Sequence, residues 1–110
     1  MINKTQIMKG ILEGCILAVL SREKRYSQEI PKKLSEFGMK DVSEGTRFPL
    51  LLRLESDGLI ESEKVPVSNG PARKYYRTTD KGIEELWKFS DICENLDASV
   101  NKILTGGEKE

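Results

Sequence analysis

Apolar side chains recur along this chain with two different periods, and the change of period divides it into elements. From Thr5 to Ser21 the spacing is helical. Ile7, Ile11, Cys15 and Val19 form one stripe, and Met8, Leu12, Ile16 and Leu20 form a second beside it. The run Cys15 to Leu20 is apolar all round, and a helix apolar on more than one face must be buried on more than one face. So small a domain cannot easily supply both coverings, which implies a partner subunit. Gly10 and Gly14, four apart, either admit a close second helix or are tolerated gaps. Arg22-Glu23-Lys24-Arg25 reads as a polar turn. A second helix opens with Ser27 as N-cap and runs to about Phe37, with Ile30, Leu34 and Phe37 turned inward and Lys32 and Lys33 outward. Pro31 falls near its first turn, where proline costs least. Gly38 to Asp41 turns the chain.

The stretch Ser43 to Thr79 reads as one device. Ser43 is a good N-cap, because its hydroxyl can accept from an unpaired first-turn N–H, and Glu44 adds favourable charge there. Phe48, Leu51 and Leu54 can share a buried face along Ser43–Glu55, with Arg47 and Arg53 falling elsewhere. Pro49 predicts a bend or an opened first turn. Gly58 fits the left-handed position after a helix end. The period then drops to that of strands over Leu59–Val67 and Ala72–Thr78, joined at Ser68-Asn69-Gly70-Pro71, with Asn69-Gly70 as the turn pair. Arg73-Lys74-Tyr75-Tyr76-Arg77 sets three cations beside two aromatics. Neighbours on a strand face opposite ways, so one tyrosine belongs to the core.

Thr79 caps a last helix, Asp80 to about Leu104, that carries a heptad seam. Leu86, Cys93 and Val100 hold one position, and Phe89, Leu96 and Ile103 hold the other. A helix of this length spans roughly 37 Å, more than the domain needs. The seam therefore packs on a symmetry mate or, less economically, on its own chain. The predicted fold is mainly α with a small β-hairpin. A winged helix-turn-helix occupies 1–78, a C-terminal dimerisation helix 79–104, and a disordered tail 105–110.

Charge alters the picture less than its distribution does. Eighteen Lys and Arg balance eighteen Asp and Glu, for a net charge of zero. Through Ile83, however, fifteen cations face eleven anions, and beyond it three face seven. A mildly basic head on an acidic tail is compatible with DNA. The chain has no histidine, which removes the usual general base and the commonest metal ligand. Cys15 and Cys93 form no metal-ligand cluster, so two buried thiols in a reducing compartment are expected, without cofactor. No nucleophile–base pair emerges, which argues against an enzyme. No apolar run approaches eighteen residues, and Met1-Ile2-Asn3-Lys4 lacks a signal-peptide pattern, so a cytoplasmic protein without membrane contact is expected.

The motif Ser43-Glu44-Gly45-Thr46-x-Phe48-Pro49-x-Leu51-x-Arg53-Leu54-Glu55-x-x-Gly58-Leu59-Ile60, followed by Asn69-Gly70-Pro71-x-Arg73-Lys74-Tyr75-Tyr76-Arg77-x-Thr79-x-x-Gly82, resembles the PadR family of bacterial transcription regulators. The resemblance runs roughly from Leu12 to Leu104 and points to the short subfamily. It implies a homodimer formed through the first and last helices. That assigns Ile11, Cys15, Leu86, Phe89, Cys93, Leu96, Val100 and Ile103 to dimerisation. It also implies a repressor of double-stranded operator DNA that answers to small molecules, some of them aromatic compounds held between subunits. Trp87, Phe89 and Cys93 would border such a site, although core or dimer packing is the first expectation for Trp87. The sequence departs from the family where Ser27-Gln28-Glu29-Ile30 replaces a Gly-Tyr-Glu-Ile-like run, and where Cys93 stands near a common aromatic.

The residues divide by DNA chemistry. Ser43, Thr46 and Arg47 lie at the helix end that meets DNA, with base reading assigned to Thr46 and Arg47. Lys32, Lys33 and Arg53 are assigned to phosphates, and Arg73, Lys74 and Arg77 to wing contacts with phosphate or minor groove. The rival expectation is a winged helix that binds protein and has no DNA role.

Overall fold

The computed structural model describes residues 4–40 and 42–106. Asp41, the end of the expected interhelical turn, and residues 107–110 of the expected tail lie outside them. The order is α1 (Lys4–Arg22), β1 (Arg25–Tyr26), α2 (Glu29–Glu36), α3 (Glu44–Ser56), β2 (Ile60–Val67), β3 (Gly70–Thr78) and α4 (Asp80–Leu104). Four helices and a small antiparallel sheet make a winged helix-turn-helix followed by a long helix. The core gathers Leu12, Ile16, Leu17, Val19 and Leu20 of α1 with Ile30 and Leu34 of α2, Leu51 and Leu54 of α3, Val42, Ile60 and Tyr76.

The stripe through Leu12, Ile16 and Leu20 is the one this core covers. Its neighbour is only partly used: Val19 is buried, Ile11 and Cys15 are half-buried, and Ile7 is exposed. Gly14 does admit a close neighbour, because the Phe89 ring of α4 sits where a Cβ would be, whereas Gly10 faces open space.

Arg25–Tyr26 is a strand, not part of a turn: it pairs with β3, Arg25 opposite Tyr76 and Tyr26 opposite Tyr75, giving the order β1-β3-β2. Two residues carry no readable period, and only the long-range partner makes them a strand. Ser27 is not the N-cap of α2. Gln28 holds that place without a side-chain bond, and Glu29 instead accepts from the Tyr26 N–H. Phe37 lies past the end of α2 and is exposed. Helix α3 runs on through Pro49. The carbonyl its missing N–H would have met belongs to Gly45, an exposed residue. The hairpin turn is Ser68-Asn69, since Val67 pairs with Gly70. Pro71 and Ala72 stand against Pro66 alone, a β-bulge near the tip.

The end of α3 and the start of α4 are tied at one place. Gly58, at φ +78°, stops α3 with the Leu59 N–H on the Leu54 carbonyl at 2.9 Å. Thr79 accepts from the Gly82 N–H at 3.0 Å and donates through its hydroxyl to the Gly58 carbonyl at 2.6 Å. The Thr79 N–H bonds the Leu59 carbonyl at 3.0 Å, and the Lys81 ammonium bonds the Asp57 carbonyl at 2.9 Å.

Candidate nucleic-acid interface

Ser43 shapes the leading end of α3. Its backbone is extended, its Oγ accepts from the Thr46 N–H at 3.2 Å, and the hydroxyl donates to Thr46 Oγ1 at 3.1 Å. Both residues are exposed. This is an ordinary N-cap that leaves a threonine pointing outward from the first turn.

The inward face of α3 differs from the expected one. Arg47, Leu51 and Leu54 are its buried residues, and Phe48 is 51% exposed. The spacing 47, 51, 54 is as helical as 48, 51, 54, and hydrophobicity alone favoured the phenylalanine. Arg47 is 5% exposed, and its Nε donates to Ser27 Oγ at 3.4 Å. It is therefore not on the outward face assigned to base reading.

The other cations scatter. Arg53 is exposed and pairs with Glu13 of α1. Lys33 pairs with Glu36 at 3.0 Å, and Lys32 is exposed on the same helix. On the wing, Arg73 lies over the Tyr26 ring at 4.7 Å, and that ring meets Tyr75 at 5.6 Å between centroids. Lys74 sits 3.4 Å from Glu55 and over the buried Tyr76 ring. Tyr76 is thus the core member of the tyrosine pair and Tyr75 the half-buried one. Arg77 pairs across the strands with Glu61. Nearby, Lys24 bonds Glu63 at 2.7 Å, and this hydrogen bond and charge hold the Glu63 carboxyl below its usual range.

Three of the assigned cations share one place. A cleft of about 450 Å³ opens between the leading end of α3, the start of α2 and the wing tip, and Arg47, Arg73 and Lys74 all line it. Arg77 lines separate clefts at the wing's base, beside Lys24 and Lys81. Arg53, Lys32 and Lys33 line neither. The sequence reading missed Tyr26 and Ser27 as parts of this cleft. Their one signal was a tyrosine and a serine just ahead of a helix, which looked like an ordinary helix start.

On α4, Leu86 packs against the core and Phe89 fills the notch at Gly14, so these two seam residues serve their own chain. Leu96, Val100 and Ile103 are exposed, as are Ile92 and Leu104 off the seam. Trp87 is 66% exposed. Phe89 lines a cleft of about 270 Å³ with Gly14 and Ile92, but Trp87 and Cys93 do not. Cys93 lies near enough to Cys15 to act on it: burial first, and then Cys93, push the Cys15 thiol above its ordinary value.

Residues 16–88 match the Transcriptional regulator PadR-like family. A Mycobacterium tuberculosis transcriptional regulator, Rv3488, is 47% identical over 71 residues, which is 64% of each chain. A PadR-like transcriptional regulator from Bacillus cereus superposes with a TM-score of 0.80 at 45% identity, over 90% of this chain and 96% of that one. A PadR family regulator from Eggerthella lenta gives a TM-score of 0.79 at 36% identity, over 96% and 89%. The chain belongs to the PadR-like transcriptional regulators, a non-enzymatic family of DNA-binding winged helix-turn-helix proteins.

Proposed function

We propose that the protein is a homodimeric repressor of a near-palindromic operator, released by a small aromatic effector. The observation that carries the dimer is the trailing half of α4. Leu96, Val100 and Ile103 continue the seam beyond the reach of the chain's own core, and all three stay exposed. Ile11, Cys15 and Cys93, each half-buried, extend the same uncovered region towards α1. A second copy laid along this surface would bury both halves by the same contacts, as a two-fold interface requires.

A two-fold dimer presents two copies of α3, which can enter successive major grooves if they stand about 34 Å apart. Thr46, exposed on the first turn, is the base-reading candidate. Phe48 and Leu52, exposed one turn apart on α3, can meet thymine methyl groups. Arg73 at the wing, Lys32 on α2 and Arg53 are assigned to phosphates. Arg53, Lys33, Lys74 and Arg77 would first exchange a carboxylate for one. The effector reading rests on Trp87, whose exposed indole stands on the helix that holds the open seam.

The same Phe48 and Leu52 give one point to the rival reading, since an apolar pair on α3 also suits a protein partner. Sedimentation with the protein's own upstream promoter fragment, at two salt concentrations, separates the two. The expected result is a dimer that binds this fragment in preference to random duplex and weakens as salt rises. A dimer indifferent to both duplexes would favour the protein-binding module, and a monomer would end the dimer reading. Titration of Trp87 fluorescence with planar aromatic compounds tests the effector: quenching supports it, and an unchanged signal across a varied panel removes it.

A further inference from the structure

Among the described residues Arg47 is the buried charged one. Among the described residues no carboxylate lies within 4.0 Å of it, and its one hydrogen-bond partner is a serine hydroxyl. A guanidinium cannot shed its charge at physiological pH, and a buried cation without a counter-charge is costly. Yet this one is not enclosed. It lines the cleft between α3 and the wing, together with Arg73 and Lys74. Glu44 is the carboxylate on that lining, against three cations, and Lys74 is partly committed to Glu55.

We infer that the cleft is an anion site which receives one DNA backbone phosphate, and that Arg47 holds it from below as a clamp. This deepens the operator-binding reading and rests on it for the source of the phosphate. The geometry favours phosphate over a base edge. A guanidinium that is 5% exposed and tethered to Ser27 Oγ has no reach into a groove, but a phosphate oxygen can approach the cleft it lines. Arginine is suited to this, because its planar fork can offer two parallel N–H donors to one phosphate. Arg73 guards the opening, steadied on the Tyr26 ring. Bound phosphate would supply the counter-charge that Arg47 lacks, so the cost of burying it is recovered only in the complex. The cleft also joins the wing to α3. A phosphate seated there would fix how far the wing stands from the recognition helix.

Arg47→Met and Arg47→Lys test the site. In a duplex titration Arg47→Met is expected to weaken operator and random duplex alike, by roughly tenfold or more. Its salt slope should be shallower by about one, the share of a single phosphate. Arg47→Lys should keep most of that slope. The melting temperature of free Arg47→Met should equal or exceed that of wild type, because a buried unpaired charge has become an apolar side chain. Inorganic phosphate should raise the wild-type melting temperature and have less effect on Arg47→Met. Loss confined to the operator would make Arg47 a base reader and overturn the inference. So would unchanged affinity and slope in Arg47→Met, or a lower melting temperature with unchanged DNA binding. Wild-type protein that gains stability from phosphate through Arg47 but binds no duplex would overturn the DNA source of the phosphate, and the operator reading with it. Wild-type protein that binds duplex while Arg47→Met behaves identically would overturn the clamp alone.

Discussion

At Gly82 the carbonyl of Leu59 and the methyl of Thr78 occupy the place where a side chain would begin. The crowding atom is backbone, so it cannot turn aside as a flexible side chain would. Gly82→Ala should therefore destabilise the fold by about 1–3 kcal/mol, despite alanine's better helix propensity. Thermal unfolding would register this as a fall of several degrees, and an unchanged melting temperature would show that α4 can shift without cost. The neighbouring Thr79→Ala removes a cap and should cost about 1 kcal/mol. Cys15 makes a different kind of prediction. Burial and the neighbouring Cys93 raise its pKa in the folded state. The stabilisation tied to its neutral thiol is complete below the unfolded thiol pKa. It is lost as pH rises from there through the folded one. Denaturant titrations across that alkaline window should show a decline in wild type that Cys15→Ala lacks. At neutral pH, Cys15 should also react with a thiol reagent more slowly than it does in the unfolded chain.

Element by element, local chemistry makes most of the chain legible in its sequence. The caps at Ser43 and Thr79, the stop at Gly58 and the extent of α4 each follow from side chains near in sequence, and they lie where those side chains placed them. What could not be read depended on distant partners. Arg25–Tyr26 is a strand because Tyr75 and Tyr76 pair with it, fifty residues away in the chain. Arg47 and Phe48 exchanged places because both spacings are helical, and the winged fold decides which residue meets Ser27. The single heptad seam proved to be two pieces, since Gly14 offered Phe89 a notch inside the same chain. The divided seam carries its own test. Leu96→Asp with Val100→Asp should convert a dimer to monomers in sedimentation while leaving the melting of the winged unit nearly intact. Phe89→Ala should instead lower thermal stability by about 3 kcal/mol or more, because it empties an intrachain contact. Equal effects from both sets would mean that the seam is not divided.

For the molecule as a whole, the described fold extends 61 × 30 × 22 Å, and α4 is its longest element. The charge distribution agrees with the family and the fold: the basic head contains α3 and the wing, while the acid excess lies along α4. The individual DNA contacts were the least legible part. Three of the cations assigned from the sequence line one cleft, whereas Arg53 and Arg77 meet carboxylates elsewhere. If the proposed DNA complex forms, its affinity should fall steeply with salt. The rivals at Glu13, Glu36, Glu55 and Glu61 should then matter, so that Glu61→Gln strengthens binding to random duplex and leaves the preference for operator unchanged. The tie between Asp57-Gly58-Leu59 and Thr79 to Gly82 has a mechanical meaning. Three hydrogen bonds and a glycine contact cross that joint, so α3 and α4 would turn together as the two arms of one lever. A few degrees of rotation at the far arm would then swing the near arm with it. An effector that wedged the trailing ends of two long helices apart would then need no path through the core, because leverage alone would spoil the spacing of the two DNA-facing helices.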